Sequence, residues 1–395
     1  MELAVLRLKP RCERRLKGGH LWIYSNEVDI AFSPLKLLSN GQQVVVETSS
    51  GKSLGVAYCN PNSLICARMV SRELLPIDGD MITHLLRQAL SLRERVYPGG
   101  CYRLVYGDSD GLPGLVVDRF ADVLVVQIGT AGMEALKDIV IDALDQLLKP
   151  TAIILKNDSK ARQVEGLENY VEVVKGEPGD ELQLVENGVK FVVPSLTGQK
   201  TGWFYDHRDN RARLARYTNG ARVLDVFSYV GGWGVQAAVQ GAADVVCVDS
   251  SPLAIDYVGR NAMLNNVGDK VSTLKGQANQ CMKELAEAGE KFDVIVIDPP
   301  AFIKKRKDIR AGEAGYKQLN QLAMRLLGRE GILVSASCSM HLQRESLIDI
   351  LRSASRHVDR QCQILEVGGQ GADHPIHPAI PETEYLKAMF ARVYI

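Results

Sequence analysis

From about residue 195 to its C-terminus the chain alternates short apolar runs with amphipathic stretches. The runs Arg222–Phe227, Asp244–Asp249, Val271–Leu274, Phe292–Asp298, Gly331–Ala336, Gln363–Val367 and Ala388–Val393 read as strands. Trp233–Gln240, Pro252–Asn265, Asn279–Glu287, Glu313–Leu327 and Leu342–Ser355 read as the helices between them. Near-continuous apolar strands separated by helices predict a mostly parallel sheet covered on both faces. The last two strands stand close together in sequence, which predicts that one of them is antiparallel.

Two further segments precede this one. Residues 1–72 hold short alternating runs (Leu3–Leu8, Gln43–Glu47, Leu54–Tyr58, Leu64–Met69) separated by the turn signals Asn40-Gly41, Ser50-Gly51 and Asn60-Pro61-Asn62. That pattern predicts a small β domain with one short helix near Cys12–Lys17. Residues 73–194 mix helix and strand. Met81–Val96 and Met133–Leu148 have helical periodicity, and Arg103–Tyr106, Leu115–Val117, Val123–Ile128 and Ala152–Leu155 read as strands. Asn187-Gly188 between Leu182–Val185 and Val189–Val193 predicts a tight hairpin, since both central residues of such a turn need positive φ. The reading is thus three domains: 1–72, 73–194 and 195–395.

Composition narrows the class. No apolar run approaches the roughly 20 residues that span a bilayer, and Met1–Pro10 lacks an apolar leader core, so a cytoplasmic protein without a membrane partner is expected. The 8 cysteines are scattered with no CxxC pair, which argues against a metal site and for reduced thiols. Formal net charge is +0, yet the charge is clustered. Arg7, Lys9, Arg11, Arg14, Arg15 and Lys17 face only Glu2 and Glu13 at the N-terminus, and Lys304, Lys305, Arg306, Lys307 and Arg310 form a second cluster. Clusters of this kind are expected to meet phosphates; Lys9, Arg11, Arg14, Arg15, Lys304, Lys305 and Arg306 are the candidates for contacting RNA.

Candidate chemistry gathers at strand ends. In an open α/β sheet a ligand sits beyond the carboxyl ends of the strands. The first strand carries Asp225 and runs through Phe227 into Ser228-Tyr229-Val230-Gly231-Gly232, a turn where glycine admits close backbone approach and the following helix offers free N–H groups. Asp249 ends the second strand, 24 residues after Asp225, where a carboxylate accepts from ribose hydroxyls; Ser250 follows it. Gly231, Gly232 and Gly234 give G-G-x-G and not the dinucleotide G-x-G-x-x-G. After the third strand, Gln277-Ala278 is placed to read an adenine amino group, a position where many methyltransferases carry an acid. Asp298 ends the fourth strand within Asp298-Pro299-Pro300, stiffened by the two prolines, and Phe302 follows at a position suited to stacking on a base. Cys338 ends the fifth strand, where Ser337-Cys338-Ser339 turns polar. A thiolate adding to carbon 6 of cytosine makes carbon 5 nucleophilic enough to attack a sulfonium methyl, which divides a hard step into two. Lys304 and Lys305, or the sulfonium itself, are candidates for favouring that thiolate, and a base in folded RNA must first be swung out.

At these residues the chain resembles the RlmI family of 23S ribosomal RNA cytosine-5 methyltransferases. Gly19–Val28 is similar to the opening of that family's PUA domain, an RNA-binding β module. Tyr106–Asp118 is similar to the signature of its central α/β domain. Lys200–Arg211 is similar to the segment that leads into the catalytic domain and closes over the cofactor, and Ala372–Pro375 and Tyr385–Lys387 match as well. The resemblance implies a PUA-like β barrel, a central α+β domain and a Rossmann-like class I methyltransferase domain. It implies S-adenosylmethionine as donor, Cys338 as nucleophile and Asp298 as the acid touching the base, and it adds Lys200, Thr201 and Phe204 to the cofactor set. It implies 23S ribosomal RNA as partner and leaves room for a homodimer, because the family includes dimers. Related RNA cytosine-5 methyltransferases carry a second cysteine after the two prolines; here Ala301 stands there, as in the RlmI family, so Asp206, His207 and His374 are the candidates for removing the carbon 5 proton. Two rival readings are a guanine-nitrogen methyltransferase, which needs no thiol, and a non-catalytic ribosome-assembly factor.

Overall fold

The computed structural model describes residues 3–395; Met1 and Glu2, where the leader reading and the N-terminal charge cluster begin, lie outside the described residues. Two compact units emerge. One comprises the chain up to Leu182 with Pro194–Trp203 and Ala372–Thr383; the other comprises Gln183–Val193, Phe204–Gly371 and Glu384–Ile395.

The first unit contains two five-stranded sheets. In one, Ala4–Arg7 runs parallel to Gln43–Glu47, and the sheet continues antiparallel through Ser53–Cys59 and Ile65–Ser71 to Trp22–Tyr24. In the other, Cys101–Tyr106, Leu115–Phe120, Val123–Ile128, Ala152–Asn157 and Tyr170–Lys175 lie side by side in chain order. Val56 and Tyr58 of the first sheet join the core of the second, which is why both belong to one unit despite the composition change near residue 72. Two short strands, Trp22–Tyr24 and Tyr170–Lys175, are absent from the sequence reading. Both lie at sheet edges, where only one neighbour imposes a pattern, and Val171, Glu172 and Val173 remain exposed. The helix expected over Met133–Leu148 is two, Ala131–Ala135 and Lys137–Leu148. Leu136, at φ −102° and ψ 8°, breaks the helical backbone between them.

The second unit is built on a sheet of β1 (Arg222–Val226), β2 (Asp244–Asp249), β3 (Val271–Lys275), β4 (Phe292–Ile297), β5 (Leu327–Ser337), β6 (Gln361–Gly368) and β7 (Lys387–Tyr394). The spatial order is β3-β2-β1-β4-β5-β7-β6. β1 to β5 are mutually parallel, and β7 runs antiparallel to both β5 and β6. Helices α1 (Gly234–Val239), α2 (Pro252–Leu264), α3 (Ala278–Glu287), α4 (Ile309–Leu326) and α5 (Arg344–His357) connect the strands. β1 and β4, central in the sheet, are buried almost throughout, as strands covered on both faces must be. The start of α2 is fixed locally: Ser251 accepts from the Ala254 N–H at 3.3 Å, and Pro252 supplies a first-turn residue that needs no donor. The hairpin turn has φ of 53° at Asn187 and 80° at Gly188, as its sequence demands. The strand order reverses beside β1, so β1, β2 and β4 release their chain ends around one crevice.

Candidate active site

The turn after β1 is held in an uncommon shape. Phe227 and Tyr229 have φ of 67° and 49° without being glycine. Such residues cost free energy and persist only where their surroundings over-determine them. The fixings are specific: Phe227 and Ser228 both donate backbone N–H to the Val248 carbonyl at 3.0 Å, and Tyr229 N–H donates to Asp249 Oδ2 at 2.9 Å. Asp249 Oδ1 accepts from Ser251 N–H at 2.9 Å, so the half-buried carboxylate is held in place with lone pairs to spare. Gly231, at φ 87°, and Gly234 are required: an added Cβ would lie 2.7 Å from Val235 Cγ2 at the first and 2.4 Å from Cys247 Sγ at the second. Gly232 beside them is buried.

Asp225 is fully buried, and Gly234 N–H donates to its Oδ2 at 2.8 Å. Burial lifts its carboxyl to about 7; the Gly234 bond opposes this and the charges of Asp298 and Asp249 add to it. Its Oδ1 and the buried Ser228 hydroxyl have no hydrogen-bond partner among the described residues. Buried polar atoms are nearly always paired, so two orphans at one glycine turn mark a place shaped for a polar ligand. Phe204 meets Tyr229 edge-on at 5.6 Å. Ser250 and Gln277 are exposed at the ends of β2 and β3, Gln277 leading into α3, while Ala278 is buried. Lys200 and Thr201 belong to the first unit; Lys200 is exposed with φ 49°, and Thr201 donates its hydroxyl to Asp118 at 2.5 Å.

Asp298 follows β4, with Pro299 buried behind it. Two residues that sequence reasoning did not connect to it orient its carboxylate. His207 Nε2 lies 3.2 Å from Oδ1, and Trp233 Nε1–H donates to Oδ2 at 3.1 Å. Asn210 sets the tautomer: its Oδ1 accepts from Arg213, so its amide nitrogen donates to the Gly369 carbonyl and faces His207 Nδ1 at 3.1 Å. Nδ1 is thereby the acceptor and the ring hydrogen falls on Nε2, which lies near Asp298 without a well-aligned hydrogen bond to it. Burial works to raise Asp298, but His207 and then Trp233 outweigh it and hold the carboxyl below its usual range. The available signal in the sequence was Trp233 itself, a donor placed directly after the glycine turn.

Cys338 is half-buried at the end of β5, next to β4. The hydroxyls around it form a closed set. Ser337 donates to Tyr316 Oη at 2.9 Å, Tyr316 and Ser339 Oγ meet at 2.9 Å, and Ser339 N–H donates to Ser337 Oγ at 3.1 Å. Phe302, the ring expected to stack on a base, is half-buried and packs against the Tyr316 ring at 4.8 Å and the edge of the core. Cys247 and Cys281 are buried, and Cys362 lies on the edge strand β6.

The basic candidates divide. Lys304, Lys305 and Arg306 are exposed on the loop after Asp298-Pro299-Pro300. In the first unit Arg11 and Arg14 are exposed, Lys9 Nζ donates to the Asn26 carbonyl at 2.9 Å, and Arg15 gives its guanidinium to Glu27 at 2.9 and 3.0 Å. His374, in the same unit, holds Asp373 at 2.8 Å. No helix among the described residues is long and apolar enough to cross a membrane.

Comparison with known proteins agrees with this geometry. Residues 6–72 match a PUA-like domain, and residues 114–349 match the S-adenosylmethionine-dependent methyltransferase family. A putative methyltransferase crystallised with SAH has the same fold, with a TM-score of 0.84 over 99% of this chain and 100% of the other at 19% identity. The chain is 37% identical to ribosomal RNA large subunit methyltransferase I of Aeromonas hydrophila, over 99% of this chain and 100% of that protein. It is 35% identical to the protein of the same name from Shewanella frigidimarina, over 98% and 99%. Likeness of this degree over the whole chain places the protein in the RlmI family of S-adenosylmethionine-dependent ribosomal RNA large subunit methyltransferases.

Proposed function

We propose that the protein methylates carbon 5 of a cytosine in 23S ribosomal RNA, with Cys338 as nucleophile and Asp298 as the acid that holds the base. The observation that carries this reading is the pairing of strand ends: β4 delivers an oriented carboxylate and its parallel neighbour β5 delivers a half-exposed thiol. Asp225 Oδ1, Ser228 Oγ, the Asp249 carboxylate and the backbone of Gly231 and Gly232 are the groups that fit S-adenosylmethionine. When bound, that cofactor supplies an electrophilic methyl group.

The remaining steps belong to the chain. The Cys338 thiolate adds to carbon 6, forming the S–C6 bond and moving the C5–C6 π pair to carbon 5, which takes the methyl group. Loss of the carbon 5 proton then restores the double bond and breaks S–C6. Asp298, kept ionised, accepts from the exocyclic amine that marks cytosine. His207 stands 3.2 Å from the Asp298 carboxylate and so suits a role in placing it, while Asp206, His207 and His374 stay the candidates for the carbon 5 proton. The exposed cations Arg11, Arg14, Lys304, Lys305 and Arg306 suit RNA phosphates, whereas Arg15 is committed to Glu27. The division at 72/73 and 194/195 into PUA-like, central and methyltransferase domains is the corresponding functional organisation.

The test is transfer of labelled methyl from S-adenosylmethionine to unmodified 23S ribosomal RNA, with the product nucleoside identified by mass spectrometry. Wild type is expected to give 5-methylcytidine, and Cys338→Ala is expected to lose at least about 10³-fold in rate. A methylated guanine, or an alanine variant as active as wild type, makes Cys338 structural and the chemistry nitrogen methylation. Failure to bind S-adenosylmethionine returns the protein to the class of assembly factors.

A further inference from the structure

β7 is the one strand that enters the sheet antiparallel, and its first residue is a lysine. Register places Lys387 directly opposite Ser337, the residue before Cys338. Lys387 is 5% exposed. Its Nζ donates to the Ser339 carbonyl at 2.7 Å and to the Tyr385 carbonyl at 2.8 Å, and among the described residues it forms no ion pair with a carboxylate. The ammonium thus grips the residue after the thiol while its backbone flanks the residue before it. A buried ammonium is costly unless something balances its charge. Two carbonyls satisfy two of its three protons but carry no net charge.

The surrounding groups leave one anion to supply. Glu384 is exposed and pairs with Arg344 at 2.9 Å. The Tyr316 hydroxyl, shared between Ser337 and Ser339, is raised above its ordinary range by burial, so it stays neutral at neutral pH. The Cys338 thiol is the remaining ionisable group at this strand end.

We propose that Lys387 is the built-in counter-ion of the Cys338 thiolate, a positioning residue that keeps the nucleophile ionised before RNA arrives. This role rests on the reading of Cys338 as the nucleophile. The thiol proton goes to solvent, Lys387 keeps its three protons, and attack on carbon 6 moves the sulfur's charge into the ring. Burial draws Lys387 down to about 8, with Cys338 and then Glu384 acting to restore it and Arg344 acting against. Coupling of this kind is reciprocal: a thiolate that stabilises the ammonium is stabilised by it. The pair replaces Lys304 and Lys305, exposed on their loop, as the source of positive charge for the thiol.

The test reads thiolate content and not turnover. Alkylation of Cys338 by iodoacetamide, quantified on its peptide by mass spectrometry across about pH 6 to 10, gives an ionisation midpoint. Full-length wild type, Lys387→Met and Lys387→Arg are compared after S-adenosylmethionine binding has confirmed folding. The wild-type midpoint is expected below the ordinary thiol value of about 8.5. Lys387→Met is expected to raise it by about one unit, roughly tenfold less thiolate at a given pH, and Lys387→Arg to restore most of the shift. A wild-type midpoint at or above the ordinary value overturns the proposal even if Lys387→Met does not fold. So does an unchanged midpoint in a folded Lys387→Met. If Cys338→Ala still methylates RNA, the nucleophile reading fails while the alkylation profile still reports on the pair. If the alanine form is inactive and the profile is unmoved, only the role of Lys387 fails.

Discussion

Buried charge is handled differently in the Arg93 cluster of the first unit and at the glycine turn of the second. In the first, Arg93 is fully buried and clamps Asp110 with bonds of 2.6 and 2.7 Å while also donating to the Asp373 and Arg103 carbonyls. Arg103 holds Asp118 at 2.7 and 2.8 Å, and Arg162 holds Glu134 at 2.8 Å. In the second unit Asp225 is as deeply buried as Arg93, yet one of its oxygens and the neighbouring Ser228 hydroxyl are left unpaired among the described residues. A saturated network is architecture; an unsaturated one beside a strained turn is what marks the candidate site.

The comparison breaks most visibly at Arg93. Arg93→Ala leaves Asp110 buried and uncompensated, and the cost is expected to be about 3–5 kcal/mol in urea unfolding. A loss below about 1 kcal/mol would mean that the first unit's pairs are not what holds it. Asp225→Asn is expected to act in the opposite direction. The folded chain keeps a proton on Asp225 up to about pH 7, whereas the unfolded chain releases it near pH 4. Stability without cofactor therefore falls as pH rises from about 4 to 7 and stays low above that. The asparagine variant removes this fall and is expected to be more stable than wild type at about pH 8, by on the order of a few kcal/mol. Equal pH slopes of the urea midpoint in the two proteins would contradict it. The smallest effect is expected at Ser228: Ser228→Ala leaves stability unchanged or slightly higher, because it deletes an orphaned hydroxyl, but weakens S-adenosylmethionine binding by about 1 kcal/mol, or roughly fivefold. Calorimetric titration separates the two effects, and a stability loss without an affinity loss would make Ser228 structural.

The elements with two covered faces were legible before any coordinates. β1, β2 and β4 fall within a residue of their expected ends, because burial on both sides forces a continuous apolar run. The glycine turn was legible for a related reason: Gly231 and Gly234 leave no room for a side chain. Edge strands such as Tyr170–Lys175 were not legible, since a strand with one neighbour and an exposed face has little pattern to show.

The sequence by itself determined the alternation of strands and helices, the position of the glycine turn and the order in which Asp225, Asp249, Asp298 and Cys338 arrive at strand ends. Local periodicity and turn chemistry carry that information. Tertiary structure alone decided the partners. It set His207 and Trp233 beside the Asp298 carboxylate, gave Arg15 to Glu27, laid Phe302 on Tyr316, and brought Lys387 to the end of β5 across 50 positions of chain. The reason is physical. Strand register and helix packing juxtapose residues whose separation along the chain has no fixed value, and whether a charge is spent on a neighbour or kept for a ligand depends on that juxtaposition.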